Sequence, residues 1–452
     1  MQNNNTGQVK KTKSKTTLLH KFVDKFTKKK KRSKGSSSTQ TSRERSNEHS
    51  KGKRVSRSAS KAKVSSASKL DPCEVTAKGM RSKKETKETK EKKVVKEKKK
   101  VEEPPPPTPS RSPSTLALKT IESQMDIIVQ SQKVEKGVKA WMEILEKCDF
   151  KKTFDNDFKP IDHFKVNPDK CQVFKKHLDM CQSDNAEVLD ANRVKAGEGE
   201  FFYHGSVVTV PNVTAKVILA QLPLNDDPQC LEAFWLMVAA NKMQRVFVLC
   251  GADEIDKKTF GEYFPDDFIE HKTIRVNNRK TAQKNEEQTN DMLYYEVVPK
   301  DCAEAPFAMM EICDFWPDGK IPTVPNRPAS TAACVFESDI DADATIGVVS
   351  MFGAGRAGSF LVSALAIDRL RAGEAPNIKD LATSVRTQRP GAIETLPQYT
   401  YIHVIALTYS LKHVTNQSLK GKIEKMIGQL ETFAFEKLAE EDEEESTATI
   451  EN

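Results

Sequence analysis

Residues Thr345–Leu370 read TIGVVSMFGAGRAGSFLVSALAIDRL. The segment opens on an apolar, β-branched run, Ile346–Val349, the pattern of a strand. The run stops at a turn holding Gly353, Gly355 and Gly358, and an apolar-rich helical pattern starts near Ala357. A strand, a glycine-rich turn and a helix start bring backbone N–H groups and the positive end of a helix dipole to one point. That is a cradle for an anion. Its candidate phosphate-binding residues are Ser350, Met351, Phe352, Gly353, Ala354, Gly355 and Arg356. Arg356 adds a planar fork able to grip two phosphate oxygens. Taken alone, the turn equally suits a plain strand–helix junction, so its surroundings decide the reading.

Around it, short β-rich runs alternate with helical patterns. SVVTVP, AKVILAQLP, QRVFVLCG and MLYYEVVP read as strands, and CLEAFWLMVAANK, IKDLATSVRTQ and QYTYIHVIALTYSLKH as helices. This mixture predicts an α/β or α+β domain. The domain is expected over 134–436, from the helical VEKGVKAWMEILEKCDF onward. Residues 1–115 are Lys- and Ser-rich with few large apolar groups, and are expected to be a disordered basic tail ending in a Pro-rich linker. Residues 437–452, which include EEDEEE, are expected to be an acidic disordered tail. Within the basic tail, Leu18, Leu19, Phe22, Val23 and Phe26 would share one helical face flanked by lysines, the pattern of a basic amphipathic helix. Lys28–Arg32 (KKKKR) matches a nuclear import patch, and TPSRSP (Thr108–Pro113) suits proline-directed phosphorylation.

Several further motifs recur in order, and together the segments resemble the protein-tyrosine phosphatase family. The signature loop of that family is His-Cys, five residues, then Arg. With Arg356 as its arginine, Ser350 stands at the cysteine and Val349 at the histidine. FWPDGKIPT resembles the mobile WPD loop, with Trp316, Pro317, Asp318 at the general-acid position and Pro322. ANRVK resembles the Asn-Arg-Tyr-Lys segment, with Val194 in place of the tyrosine. Gln221-Leu222-Pro223 stands at the Gln-Gly-Pro, Phe234, Trp235, Met237 and Val238 at the Phe-Trp-x-Met-Val, and Tyr263-Phe264-Pro265 at the Tyr-Trp-Pro. VRTQRPGAIETLPQYTYIH resembles the closing segment, with Arg386, Gln388, Arg389, Gln398 and Tyr399 kept and Glu394 at the water-positioning glutamine. The matches run from about 135 to 430. The resemblance implies the phosphatase fold, an α+β domain built on a twisted mixed β-sheet flanked by helices, and a substrate cleft lined by Val194, Trp316, Asp318 and Gln398.

The departures fall on the chemistry. The family forms a cysteinyl-phosphate from a thiolate of depressed pKa. A serine hydroxyl is far less acidic and is a poorer leaving group. Ala357 lacks the hydroxyl that aids the cysteine, and Glu394 adds a carboxylate beside an anion site. With Ser350, Asp318 and Glu394 as degenerate catalytic positions, no catalytic residue is expected. The expected function is that of a pseudophosphatase in signalling, binding phosphotyrosine-containing or other protein partners. One alternative is an active phosphatase with unusual chemistry, Ser350 or water attacking directly. The other is a tether to membrane, nucleic acid or cytoskeleton through the tail.

Charge sharpens the second alternative. The chain has 72 Lys+Arg and 64 Asp+Glu over 452 residues, net +8. Residues 1–111 hold 34 basic and 11 acidic side chains, or +23, leaving 38 and 53, or −15, for the remainder. Only the tail can therefore attract an anionic surface over distance. No apolar stretch reaches about 18 residues, so no transmembrane segment is expected, nor does the start read as a secretory signal. Nine cysteines without a CxxC pair indicate neither a disulfide framework nor a metal site. No cofactor is expected, and the expected location is intracellular, cytoplasmic or nuclear.

Overall fold

In the computed structural model, residues 114–451 are described apart from 198–200, 252–253, 255–256, 282–289, 301, 303–304 and 337–343. The expected basic tail, its amphipathic stretch, KKKKR and TPSRSP lie almost entirely outside the described residues.

Ten α-helices and eight strands follow in chain order among the described residues: α1 (Ser114–Leu145), α2 (Phe150–Asp162), α3 (Gln172–Lys176), β1 (Gly205–Val208), β2 (Lys216–Gln221), α4 (Pro228–Ala240), β3 (Met243–Leu249), α5 (Lys257–Tyr263), β4 (Phe268–Glu270), β5 (Ile274–Thr281), β6 (Asp291–Pro299), β7 (Phe307–Cys313), α6 (Asn326–Ala333), β8 (Thr345–Ser350), α7 (Gly355–Ala372), α8 (Ile378–Gln388), α9 (Leu396–Ser410) and α10 (Gln417–Glu451). The strands form one sheet in the order β1-β2-β8-β3-β7-β6-β5-β4. β2, β8, β3 and β7 run parallel, and the pairs outside them are antiparallel. This is the mixed sheet flanked by helices that the resemblance implies.

Alternation along the strands sorts the core. Val217 and Leu219 of β2, Phe247 and Leu249 of β3, and Ile346 and Val348 of β8 join the apolar cluster with α1, α2 and α6–α10. Their neighbours Ile218, Ala220, Val246, Val248 and Val349 join the opposite cluster with α4. A sheet covered on both faces makes every residue of β8 buried, which explains its unbroken apolar run. α9 is likewise buried along its whole length, and it starts where the Thr395 side chain caps the Gln398 N–H.

Two boundaries differ from expectation. The first helix begins at Ser114, twenty residues before the expected domain start. The acidic segment 437–452 is not an irregular tail through its length: α10 continues as helix to Glu451. Leu419, Ile423, Ile427, Leu430, Phe433 and Ala434 bury one face of α10, and the helix propagates from that anchored part through the glutamates. Among the described residues no helix is long and apolar enough to cross a membrane.

Candidate functional site

The central strand β8 delivers Ser350 to the carboxyl edge of the sheet, in register with Gln221 of β2 and Leu249 of β3. Open α/β sheets gather their ligands at that edge. The chain turns there through Ser350–Arg356 into α7. The turn requires glycine at 353: φ is +62°, and a Cβ would lie 2.1 Å from the Ala220 carbonyl carbon. Gly353 N–H donates to both the carbonyl and the Oγ of Ser350, at 3.1 Å each. The Ser350 hydroxyl is thus an acceptor inside its own turn, and Ser350 is only 2 % exposed. No base is hydrogen-bonded to it, and Val349 beside it is fully buried.

The turn is held from behind by a group whose role the sequence left unassigned. Arg389 is fully buried, donating from Nε to the Gly353 carbonyl (2.8 Å) and from Nη2 to the Phe352 carbonyl (2.8 Å). By pulling these carbonyls outward, it leaves the concave side to N–H groups. Burial lowers the Arg389 pKa to about 10, so it stays charged at neutral pH. His204, 3.4 Å from its Nη2, is held neutral by burial and then by the Arg389 charge, both of which push its pKa down.

Arg356, 2 % exposed, emerges in the first turn of α7. Its guanidinium is fully engaged. Nη1 donates to Glu254 Oε2 (2.5 Å) and to the Trp316 carbonyl (2.8 Å), while Nη2 reaches Glu254 Oε1 (2.7 Å) and Asp318 Oδ1 (2.8 Å). Glu254 also accepts from the Gly251 N–H. The sequence reading missed Glu254. The available signal was a carboxylate four residues beyond Cys250, where a buried strand leaves the sheet on the ligand-gathering edge.

The structure brings Trp316, Asp318 and Arg356 into contact, with Glu394 beside them. Trp316 is fully buried, and its indole N–H donates to the Lys320 carbonyl (3.0 Å), closing the loop on itself. Glu394 lies against the turn: a Cβ on Gly355 would come within 2.5 Å of its Oε2. Lost hydration and then the Asp318 charge push the Glu394 carboxyl above its usual range. Glu394 is aimed by Ile393, a β-branched residue at φ +60°. That strain is held by Arg386, which donates to the Ala392 (2.9 Å) and Ile393 (3.0 Å) carbonyls.

Two expected cleft residues are not in a cleft wall. Val194 is fully buried in the apolar cluster with Tyr203, Ala220 and Trp235. Gln398 is also fully buried. Its Oε1 accepts from the Glu394 N–H (3.0 Å) and the Ser359 hydroxyl (3.2 Å), so it braces the turn from beneath.

Chemically, the site offers one buried guanidinium facing three carboxylates and no activated nucleophile. The cysteine nearest the chemistry, Cys250, feels both Glu254 and Arg356, but burial first, then Glu254, pushes its thiol up to about 12. No cluster of His, Cys, Asp or Glu among the described residues could hold a metal ion.

Comparison with known proteins agrees with this geometry. A profile of the protein-tyrosine phosphatase family matches residues 177–408. A Caenorhabditis elegans protein provisionally named as a tyrosine-protein phosphatase is 58% identical over 449 residues, covering 97% of this chain and 99% of that protein. The receptor-type tyrosine-protein phosphatase alpha of Homo sapiens is 23% identical over 265 residues, which span 56% of this chain and 32% of the receptor. The crystal structure of a Trypanosoma cruzi protein tyrosine phosphatase superposes with a TM-score of 0.50 at 16% identity, covering 57% of this chain and 91% of the other.

Proposed function

This chain belongs to the protein-tyrosine phosphatase family, and from that premise we propose that it is a non-catalytic member that binds protein partners in signalling through its phosphatase-like domain. The observation that carries this is Ser350 at the nucleophile position. Its hydroxyl accepts a hydrogen bond inside its own turn, and no base is hydrogen-bonded to it. The supporting positions agree. Ala357 supplies no hydroxyl, Glu394 is a carboxylate, and Asp318 is spent on Arg356 rather than free to protonate a leaving group. A phosphorylated partner is recognised by Arg356 and the loop N–H groups only where its phosphate displaces Asp318 and shares the guanidinium with, or displaces, Glu254. The +23 tail supports a second, compatible role as an electrostatic tether to an anionic surface.

The test is hydrolysis of p-nitrophenyl phosphate by the full chain, together with binding of a phosphotyrosine peptide panel to it. Turnover above the enzyme-free blank would overturn the non-catalytic reading. Binding that is lost in Arg356→Ala identifies a reader of phosphate. Binding of unphosphorylated partners alone identifies a scaffold working through another face.

A further inference from the structure

The loop bearing Asp318 is held on both sides. Beneath it, Arg356 takes the Trp316 carbonyl and the Asp318 carboxylate. Above it, Lys320 forms an ion pair with Asp442 of α10. Lys320 is tied to the same loop through its carbonyl, which accepts the Trp316 indole N–H. α10 is not a loose tail at this point. Its packed face runs through Phe433 and Ala434 to Leu438, and four further residues, at ~1.5 Å each, carry the helix about 6 Å to Asp442. The acidic end of α10 is therefore presented to the loop by a rigid element anchored in the core.

We propose that α10 is a latch on the cleft: by holding Lys320, its acidic end keeps the loop closed, so that Asp318, the protein's own carboxylate, occupies the guanidinium of Arg356 in place of an incoming oxyanion. Ligand access then requires the helix end to let go. Any event that neutralises or displaces residues 440–443, such as a basic partner on that acidic run, opens the cleft. The effect on the loop rests on geometry alone. The effect on ligand binding rests on the reading that the cleft takes a phosphate group.

Hydrogen–deuterium exchange on the full chain separates the two. Asp442→Ala should speed exchange of the amides between Trp316 and Thr323 by about two- to fivefold, the range set by one partly exposed ion pair. Asp442→Glu should restore protection, and Glu440→Ala, whose carboxylate pairs with Lys437 within α10, should leave it unchanged. Inorganic phosphate, titrated calorimetrically, should bind Asp442→Ala more tightly by a similar factor. It should bind Asp318→Asn about tenfold more tightly, with no further gain in the double variant, because the latch acts through Asp318. Unchanged exchange in Asp442→Ala overturns the latch whatever phosphate does. Faster exchange with no phosphate binding to any variant upholds the latch and removes the phosphate reading.

Discussion

At the scale of single residues, the site gathers carboxylates around Arg356. Glu394 is one case: lost hydration and then the Asp318 charge disfavour its charged form, an effect that water screens in part because the residue is exposed. Its carboxyl pKa is raised in the folded state, so the penalty is present at pH 7 and disappears as pH falls below the folded value. Glu394→Gln should therefore melt at a higher temperature than the unmodified protein at pH 7. The difference should close as pH is lowered through the carboxylate range, as followed by circular dichroism. Val194 gives a second check. The sequence pattern places it where a cleft-lining tyrosine would stand, yet it is buried among Tyr203, Ala220 and Trp235. Val194→Tyr should lower the stability measured in urea by about 1–3 kcal/mol through overpacking. A neutral outcome would mean that the ring reaches solvent and the cleft wall can be rebuilt.

At the scale of elements, the strand–turn–helix unit was legible because each part carries its own sequence mark. β8 is apolar throughout, the turn is rich in glycine, and α7 starts at Gly355. What holds the unit in shape was not legible. Arg389 lies 36 residues beyond Gly353 and acts on backbone carbonyls, which carry no residue identity. Glu254 comes from the end of β3, 102 residues before Arg356. The turn itself should be intolerant. Gly353→Ala would force a Cβ into the Ala220 peptide at a positive φ, and should cost about 2–3 kcal/mol or more in chemical denaturation. A loss below 1 kcal/mol would show that the turn can relax away from β2.

At the scale of the whole molecule, the helices at both ends of the described chain are part of one core. Trp141 of α1 stacks on His403 of α9, and Lys422 of α10 pairs with Glu146 just after α1. Leu430, fully buried on α10, should on truncation to Ala lower stability by about 2–5 kcal/mol. The domain should still unfold in a single transition by far-ultraviolet circular dichroism and tryptophan fluorescence. A separate early transition would mean that α10 is an independent appendage, and would also deprive the loop of its anchored partner at Asp442.

The sequence by itself determined the family, the central strand–turn–helix unit and the serine, Ser350, that stands where the family has its cysteine. These are written in residue identity and in short-range periodicity, which survive in one dimension. It also located the charge split, because net charge is additive along the chain. Only the tertiary structure decided that Val194 and Gln398 turn inward and that α10 runs through the acidic segment to the loop. It alone showed Arg356 already holding two carboxylates. Those facts depend on which side chains meet across a sheet edge, and Coulomb attraction and burial act through space without regard to sequence separation.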